Sequence, residues 1–251
     1  MSRFKDQAVC IRMIDWSETS QIVALLTREH GVLRGLAKGS KRMSPSAISR
    51  FSGGIDLLTG GQVVGTIKAT ADLASITEWD LQQPFHHLHT DLCSQWMAMY
   101  AADLCGALVA EHEPHRASFA AMMRLLETIS RVPADGDAAL LRFAWDLLND
   151  AGLRPNLDTD VRSAKPLPKR ATYTFDPHRG GFAVDKNEPN DDQWRVRSET
   201  LQLLRALAET ADQVDAGATT LKRANRLLCV YVRAILDREL PTMNIVLDRR
   251  T

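Results

Sequence analysis

The 251-residue chain has no excess of either charge: 31 Lys and Arg stand against 31 Asp and Glu. No global field therefore draws it to a polyanion, and any basic footprint must be local. Aromatic residues make up only 6% of the chain, which leaves few rings for stacking on bases. The four cysteines, Cys10, Cys93, Cys105 and Cys229, lie far apart with no short paired spacing. That excludes a disulfide framework and a zinc knuckle as working hypotheses and points to reduced, mostly buried thiols. No charged-then-apolar leader opens the chain and no apolar run approaches the length of a membrane span, so a cytoplasmic protein is expected. Neither a glycine-rich nucleotide fingerprint nor a Ser-His-Asp order emerges, and no enzyme class gains support.

What is present is a soluble composition, 45% apolar and 25% charged, able to bury a core. The stretch from Trp16 to Arg50 organises the rest. Two apolar runs, Ile22–Leu26 and Val32–Ala37, flank Arg28-Glu29-His30-Gly31, the signal of a hairpin closed by a glycine at positive φ. Lys38, Gly39, Ser40, Lys41 and Arg42 follow at once, a mobile basic loop at the rim of a small sheet. Lys5–Asp15 reads as a preceding strand, and Ile55–Thr59 with Val63–Thr70 as a second hairpin turning on Gly60-Gly61. A further β-rich run ends near Trp79. About five short strands without a helical period suggest an OB-type β-barrel over residues 1–80.

The pattern then changes to helices over residues 81–251, giving an α+β chain. Leu92, Trp96, Met99, Tyr100, Leu104 and Leu108 recur at helical steps between Thr90 and Glu111. Arg116–Ser130 ends before Val132-Pro133, and Asp137–Ala151 is closed by Gly152. Residues 153–194 read as a loop-rich insertion with a weak hairpin at Tyr173–Phe175 and Phe182–Val184. Ser198 and Thr200 are N-cap candidates for a helix through Thr210. A last long helix opens at Thr219 or Thr220 and runs to about Arg238, with Leu221, Leu228, Val232 and Ile235 beside Lys222, Arg226 and Arg233.

Each candidate site competes with a plainer reading. Lys38, Lys41 and Arg42, with Arg34 and Arg50 nearby, are phosphate contacts in the context of a barrel and a solvated loop otherwise. Trp16 is read as a core or turn anchor rather than a base-stacking ring. His86, His87 and His89 lack Cys or acidic partners at ligand spacing and read as a polar lead into a helix. No metal or cofactor is expected.

Trp16-Ser-Glu-Thr-Ser20, Leu25-Leu26-Thr27-Arg-Glu-His-Gly31 and Gly35-Leu-Ala-Lys-Gly-Ser-Lys-Arg42, in that order, resemble the start of RecO, the bacterial recombination mediator family. Arg142-Phe143, Leu147-Leu148 before Gly152 and Pro155, Gly180-Gly181-Phe182 and the run from Tyr231-Val-Arg to Leu240 are similar to its later part. The resemblance covers nearly the whole chain. It implies an N-terminal OB barrel, a helical domain, DNA binding with single-stranded or double-stranded DNA as the partner, strand annealing, and partnership with RecR and the single-stranded-DNA-binding protein. Docking of that protein's acidic, aromatic-ended tail needs an apolar pocket ringed by cations, for which Arg142, Lys222, Arg226 and Arg233 are the candidates, Arg142 first. Many members carry a four-cysteine zinc site in the segment that here runs Leu153–Asp185, which contains no cysteine, so zinc is not carried over. The alternative function is a protein-interaction adaptor whose barrel binds another protein.

Overall fold

The computed structural model describes residues 2–52, 54–68, 70–185, 194–210 and 215–248. By internal contacts the chain divides into two units, Met1–Pro133 and Ala134–Thr251. The division falls well after the expected boundary at residue 80, because two helices group with the strands.

In the first unit five strands, β1 (Ser2–Ser17), β2 (Ser20–Thr27), β3 (Gly31–Ala37), β4 (Gly60–Ile67) and β5 (Ala74–Gln83), close into a barrel in the order β1-β2-β3-β5-β4. The long β1 makes closure possible. Its first half pairs with β4 and its second with β2, and the register shifts between Cys10 and Arg12 where one partner gives way to the other. Such a shift bends a strand and increases its twist. The seam is the parallel pairing of β3 with β5, Gly35 opposite Ala74. A Cβ on Gly35 would lie 2.6 Å from the Ile76 side chain, so this crossing requires glycine. Phe4, Leu25, Leu33, Phe51, Ile55, Val63, Ile76 and Trp79 fill the interior.

The β2–β3 hairpin forms as expected, with Gly31 at φ +59°. Gly31 has a second constraint: a Cβ there would meet the Ala110 and Glu113 carbonyl oxygens at 2.2 and 2.5 Å. The second hairpin was misplaced by sequence. Ile55–Thr59 is not a strand, and Gly60-Gly61 is not a turn but the start of β4, paired with Val9 and Ala8 on one side and with β5 on the other. Glycine is needed at 61 because a Cβ would sit 2.4 Å from the Asp80 carbonyl and 3.0 Å from the Trp79 ring. A short helix, α1 (Pro45–Phe51), follows the basic loop and drives Phe51 into the barrel.

The unit ends with α2 (Leu92–Leu108) and α3 (Arg116–Arg131). Asp91 caps α2, accepting from the Ser94 amide at 2.8 Å. The expected stripe is buried only in part: Tyr100 and Leu104 face the core, but Leu92 and Trp96 are exposed, and Met97, Ala98, Ala101 and Cys105 are buried beside them. Small residues let neighbours approach closely, and that packing outweighs the apolar period. The three histidines lie on an exposed 3-10 turn, His86–His89, ahead of this helix.

In the second unit α4 (Gly136–Asp150) packs on α6 (Ala218–Leu236), and the Asn225 amide donates to the Asp137 carbonyl at 2.8 Å. Gly152, at φ +70°, ends α4 as expected, with the Leu153 amide donating back to the Leu148 carbonyl at 2.8 Å. The insertion contains a three-stranded antiparallel sheet, β6 (Thr172–Asp176), β7 (Gly181–Val184) and β8 (Trp194–Arg197), in the order β7-β6-β8. Its 186–193 stretch lies outside the described residues. Phe175 packs edge-on against Phe182 and against Tyr231 of α6, at 5.1 and 5.6 Å between ring centres. Helix α5 (Ser198–Glu209) begins one residue after Arg197, which occupies the cap position without a side-chain cap, so neither Ser198 nor Thr200 serves as the expected N-cap. A short α7 (Met243–Leu247) follows α6. Cys10, Cys105 and Cys229 are buried and Cys93 is exposed; burial pushes the Cys10 thiol up to about 12.

Candidate nucleic-acid interface

The basic loop is tied to the barrel from behind. The buried Ser40 hydroxyl donates to Gln21 Oε1 at 2.8 Å, the Gly39 amide donates to Ser20 Oγ at 3.3 Å, and the Lys41 amide donates to the Thr19 carbonyl at 3.2 Å. Gln21 itself is buried on β2. Its Nε2 donates to the Ile55 carbonyl at 3.0 Å, and its Oε1 also accepts from the Ile55 amide at 3.2 Å. One side-chain amide therefore fixes the loop and the segment leading to β4. The loop expected to be mobile from its glycine and serine content is therefore tied to the barrel at Gly39, Ser40 and Lys41.

With Ser40 turned inward, Lys38, Lys41 and Arg42 are all exposed. They are not equivalent. Lys41 Nζ lies 2.8 Å from Asp15 Oδ2, whereas Lys38 and Arg42 have no ion pair or side-chain hydrogen bond among the described residues. Arg34 pairs with Glu111 at 3.0 Å. Arg50 donates to the Ser46 carbonyl at 3.2 Å and sits 5.8 Å from the centre of the Phe51 ring.

The contacts of Lys41 with Asp15 and Thr19 place the loop against the end of the β1–β2 hairpin, and that end carries Trp16. Trp16 is 66% exposed, and Met13, Ile14 and Met43 beside it in sequence or on the loop are exposed too. Of the two roles expected for Trp16, core residue or turn anchor, the first is corrected: the side chain is exposed on the rim that holds Lys41. Neighbouring charges could have signalled this, since the cation Arg12 and the carboxylate Asp15 mark a strand end that stays in water.

The cations expected to hold a partner's tail are dispersed. Arg142 on α4 is only 13% exposed, and its guanidinium is fully engaged. It pairs with Asp146, and Nη1 donates to the Leu207 and Thr210 carbonyls at 3.0 and 2.6 Å. It caps the C-terminal end of α5. On α6, Lys222 and Arg226 are partly buried, and Arg233 pairs with Glu239 at 3.0 Å.

Within the insertion, Asp160 takes a position of its own. Its carboxylate accepts from the amides of Arg162, Ser163 and Val184 at 2.8, 2.9 and 2.7 Å. Burial works against its charge, but these amide donors outweigh it and hold the carboxyl below the usual range. Among the described residues no group of three or more His, Cys, Asp or Glu is placed to hold a metal, and no helix is long and apolar enough to cross a membrane.

Two family profiles match the chain in succession: Recombination protein O N terminal over residues 1–85 and Recombination protein O C terminal over residues 89–244. The chain belongs to the RecO family. A DNA repair protein RecO of Myxococcus xanthus is 29% identical over 250 residues, 98% of each chain. That of Anaeromyxobacter sp. (strain K) is 30% identical over 181 residues, 72% of this chain and 69% of the relative. That of Salinibacter ruber is 34% identical over 126 residues, 50% of this chain and 47% of the relative. The RecO profiles meet between residues 85 and 89, at the exposed histidine turn.

Proposed function

We propose that this RecO-family chain is a non-enzymatic DNA repair and recombination mediator, whose OB-type barrel binds single-stranded DNA across the rim formed by the basic loop and the end of the β1–β2 hairpin. The observation that carries the reading is the juxtaposition of Lys38 and Arg42, exposed cations without intramolecular partners among the described residues, with the exposed Trp16. Single-strand binders combine these two elements: cations follow the backbone while rings stack on bases irrespective of sequence. Annealing of strands, and loading of the recombinase together with RecR, are the roles the family resemblance adds. For the acidic tail of the single-stranded-DNA-binding protein, Lys222 and Arg233 on one side of α6 are the proposed cations, with Arg142 acting as a clasp on α5.

The test is binding of labelled single-stranded DNA across a range of salt. Replacing Lys38, Lys41 and Arg42 together by Ala should weaken binding and flatten log K against log salt by about 2 units, at roughly 0.7 per lost contact. The Lys38/Arg42 double variant should carry about 1.4 of this. Trp16→Ala should weaken binding with no change of slope, since a stacking ring releases no counterion. Unchanged affinity and slope in folded variants would eliminate the rim as the site.

A second reading, a protein-interaction adaptor, is favoured by one observation: Met13, Ile14 and Trp16 on the hairpin end and Met43 after the basic loop are all exposed, and such apolar groups mark docking surfaces. Binding to DNA that is absent at low salt would decide for it.

A further inference from the structure

The second unit contains a pocket to which the barrel reading gives no role. A cavity of about 220 Å³ between β8 and α6 is lined by Arg195, Arg197, Thr200, Arg223 and Arg226. Trp194 and Leu227 contribute apolar lining, and among the described residues no carboxylate does. Arg195 is paired with Asp185 at 2.7 Å. Arg197 and Arg223 have no ion pair or side-chain hydrogen bond among the described residues. The other three guanidinium groups of the lining, Arg197, Arg223 and Arg226, repel one another unless an anion joins them.

Two further polar groups in the lining are left unsatisfied. Thr200 is 1% exposed and its hydroxyl has no hydrogen-bond partner among the described residues, and the same holds for the buried Nε of Arg226. Buried polar groups are normally paired, so an orphaned pair in one cavity marks the place of a missing ligand. Thr200 lies in the first turn of the twelve-residue α5, whose amides have no side-chain cap. Arg197 at its cap position and Thr200 contribute to the cavity lining. The Ser198 amide is taken by the Ala171 carbonyl at 2.9 Å, so the turn contributes the positive end of the helix dipole rather than a row of free amides.

We propose that this pocket binds a phosphate group, of the kind a nucleic-acid backbone carries. A phosphate is tetrahedral, offers several acceptor oxygens and suits bidentate arginine. It can use the guanidiniums and the Thr200 hydroxyl together, whereas a planar carboxylate would leave some of them unpaired. The proposal rests on residues of the second unit and is independent of the barrel rim.

The experiment uses the full chain. Thermal melts in inorganic phosphate are compared with melts in sodium chloride at matched ionic strength, for the parent, for Arg197→Gln/Arg223→Gln and for Thr200→Val. Thr200→Val removes an unpaired hydroxyl at constant shape, so this variant keeps the fold and isolates the ligand contact. Phosphate should raise the melting temperature of the parent above the chloride control, and both variants should need at least about tenfold more phosphate for the same rise, the 1.4 kcal/mol of a lost hydrogen bond to a charged group. A second arm measures single-stranded DNA binding across salt. A slope lower by about 1.4 in the double variant, two contacts at roughly 0.7 each, assigns the phosphate to a DNA strand. An unchanged slope with a lost phosphate response assigns it to free phosphate or a mononucleotide. An equal phosphate response in the parent and both variants overturns the proposal. So does a parent indifferent to phosphate whose binding to an acidic peptide is lost in the double variant, because the pocket would then be a carboxylate site on a protein partner.

Discussion

The barrel and residues 153–185 of the insertion both consist of short strands and turns, yet they are held together by different forces. In the barrel each strand is hydrogen-bonded on two sides, and a continuous apolar interior of Phe4, Leu25, Leu33, Phe51 and Trp79 is enclosed. In 153–185 the chain is mostly loop, and side chains bond the backbone instead. Asn156 Oδ1 accepts from the Asp158 and Thr159 amides at 3.0 and 3.1 Å, Asp160 gathers three amides, and the Tyr173 hydroxyl donates to the Pro168 carbonyl at 3.0 Å. A zinc site would do the same work with four ligands and one ion. Here the cysteines are absent and a buried carboxylate collects the loop around itself. The lesson is that a segment with only a small apolar cluster, Leu157, Tyr173, Phe175 and Phe182, can be ordered when its backbone groups also find polar side chains.

Breaking each region at its centre should expose this difference. Trp79→Ala opens a large cavity in the barrel interior, where the ring is 1% exposed, and should cost about 3–5 kcal/mol by chemical denaturation. Loss below 1 kcal/mol would mean that the barrel does not depend on its core. Asp160→Asn should cost less, about 1.5–3 kcal/mol, the range for hydrogen bonds to a charged group. It should also increase amide exchange over residues 153–185 while leaving the barrel protected.

The pH dependence sharpens the second case. The folded carboxyl of Asp160 is held below the usual range, so its stabilisation is fully present above the unfolded value of about 3.9 and is lost as pH falls through the lower folded value. The stability gap between the parent and Asp160→Asn should therefore close in acid. A gap constant from pH 7 to pH 2 would remove the carboxylate charge from the account. The smallest effect is expected from a chelator, which should leave the melting temperature unchanged, since no metal contributes to folding on this reading. Elemental analysis giving about one zinc per chain would overturn it.

Local signals in the sequence led to correct structure where a residue type has one strong backbone consequence. Gly31 closed a hairpin, Gly152 ended a helix, and the apolar runs of β2 and β3 paired as read. They misled where glycine serves close packing instead: Gly60 and Gly61 sit inside a strand because β5 and the Trp79 ring pass within contact distance, and nothing local distinguishes that from a turn. α1 was missed because Ser-Pro-Ser reads as loop although proline suits a first helical turn. Helix α2 buries alanines in preference to Trp96, a choice made by its neighbours. For the candidate site, the residue types of the basic loop were legible, but not their division of labour. That Lys41 meets Asp15, that Trp16 faces water and that Arg142 is consumed by the end of α5 all depend on partners far away in the chain.

The anchoring of the basic loop at Gln21 separates two kinds of sequence change. Ser40, which faces inward and bonds Gln21, belongs to the architecture; Lys38 and Arg42, which face outward, touch nothing the fold requires. A protein arranged in this way can retune its grip by drift at the outward positions, gaining or losing a cation with no correction elsewhere. Change at position 21 meets the opposite fate, because one amide serves Ser40 and both polar groups of Ile55, and a replacement would have to satisfy all of them at once. Variation among descendants of this chain should thus be tolerated at the tips of the loop and purged at its root.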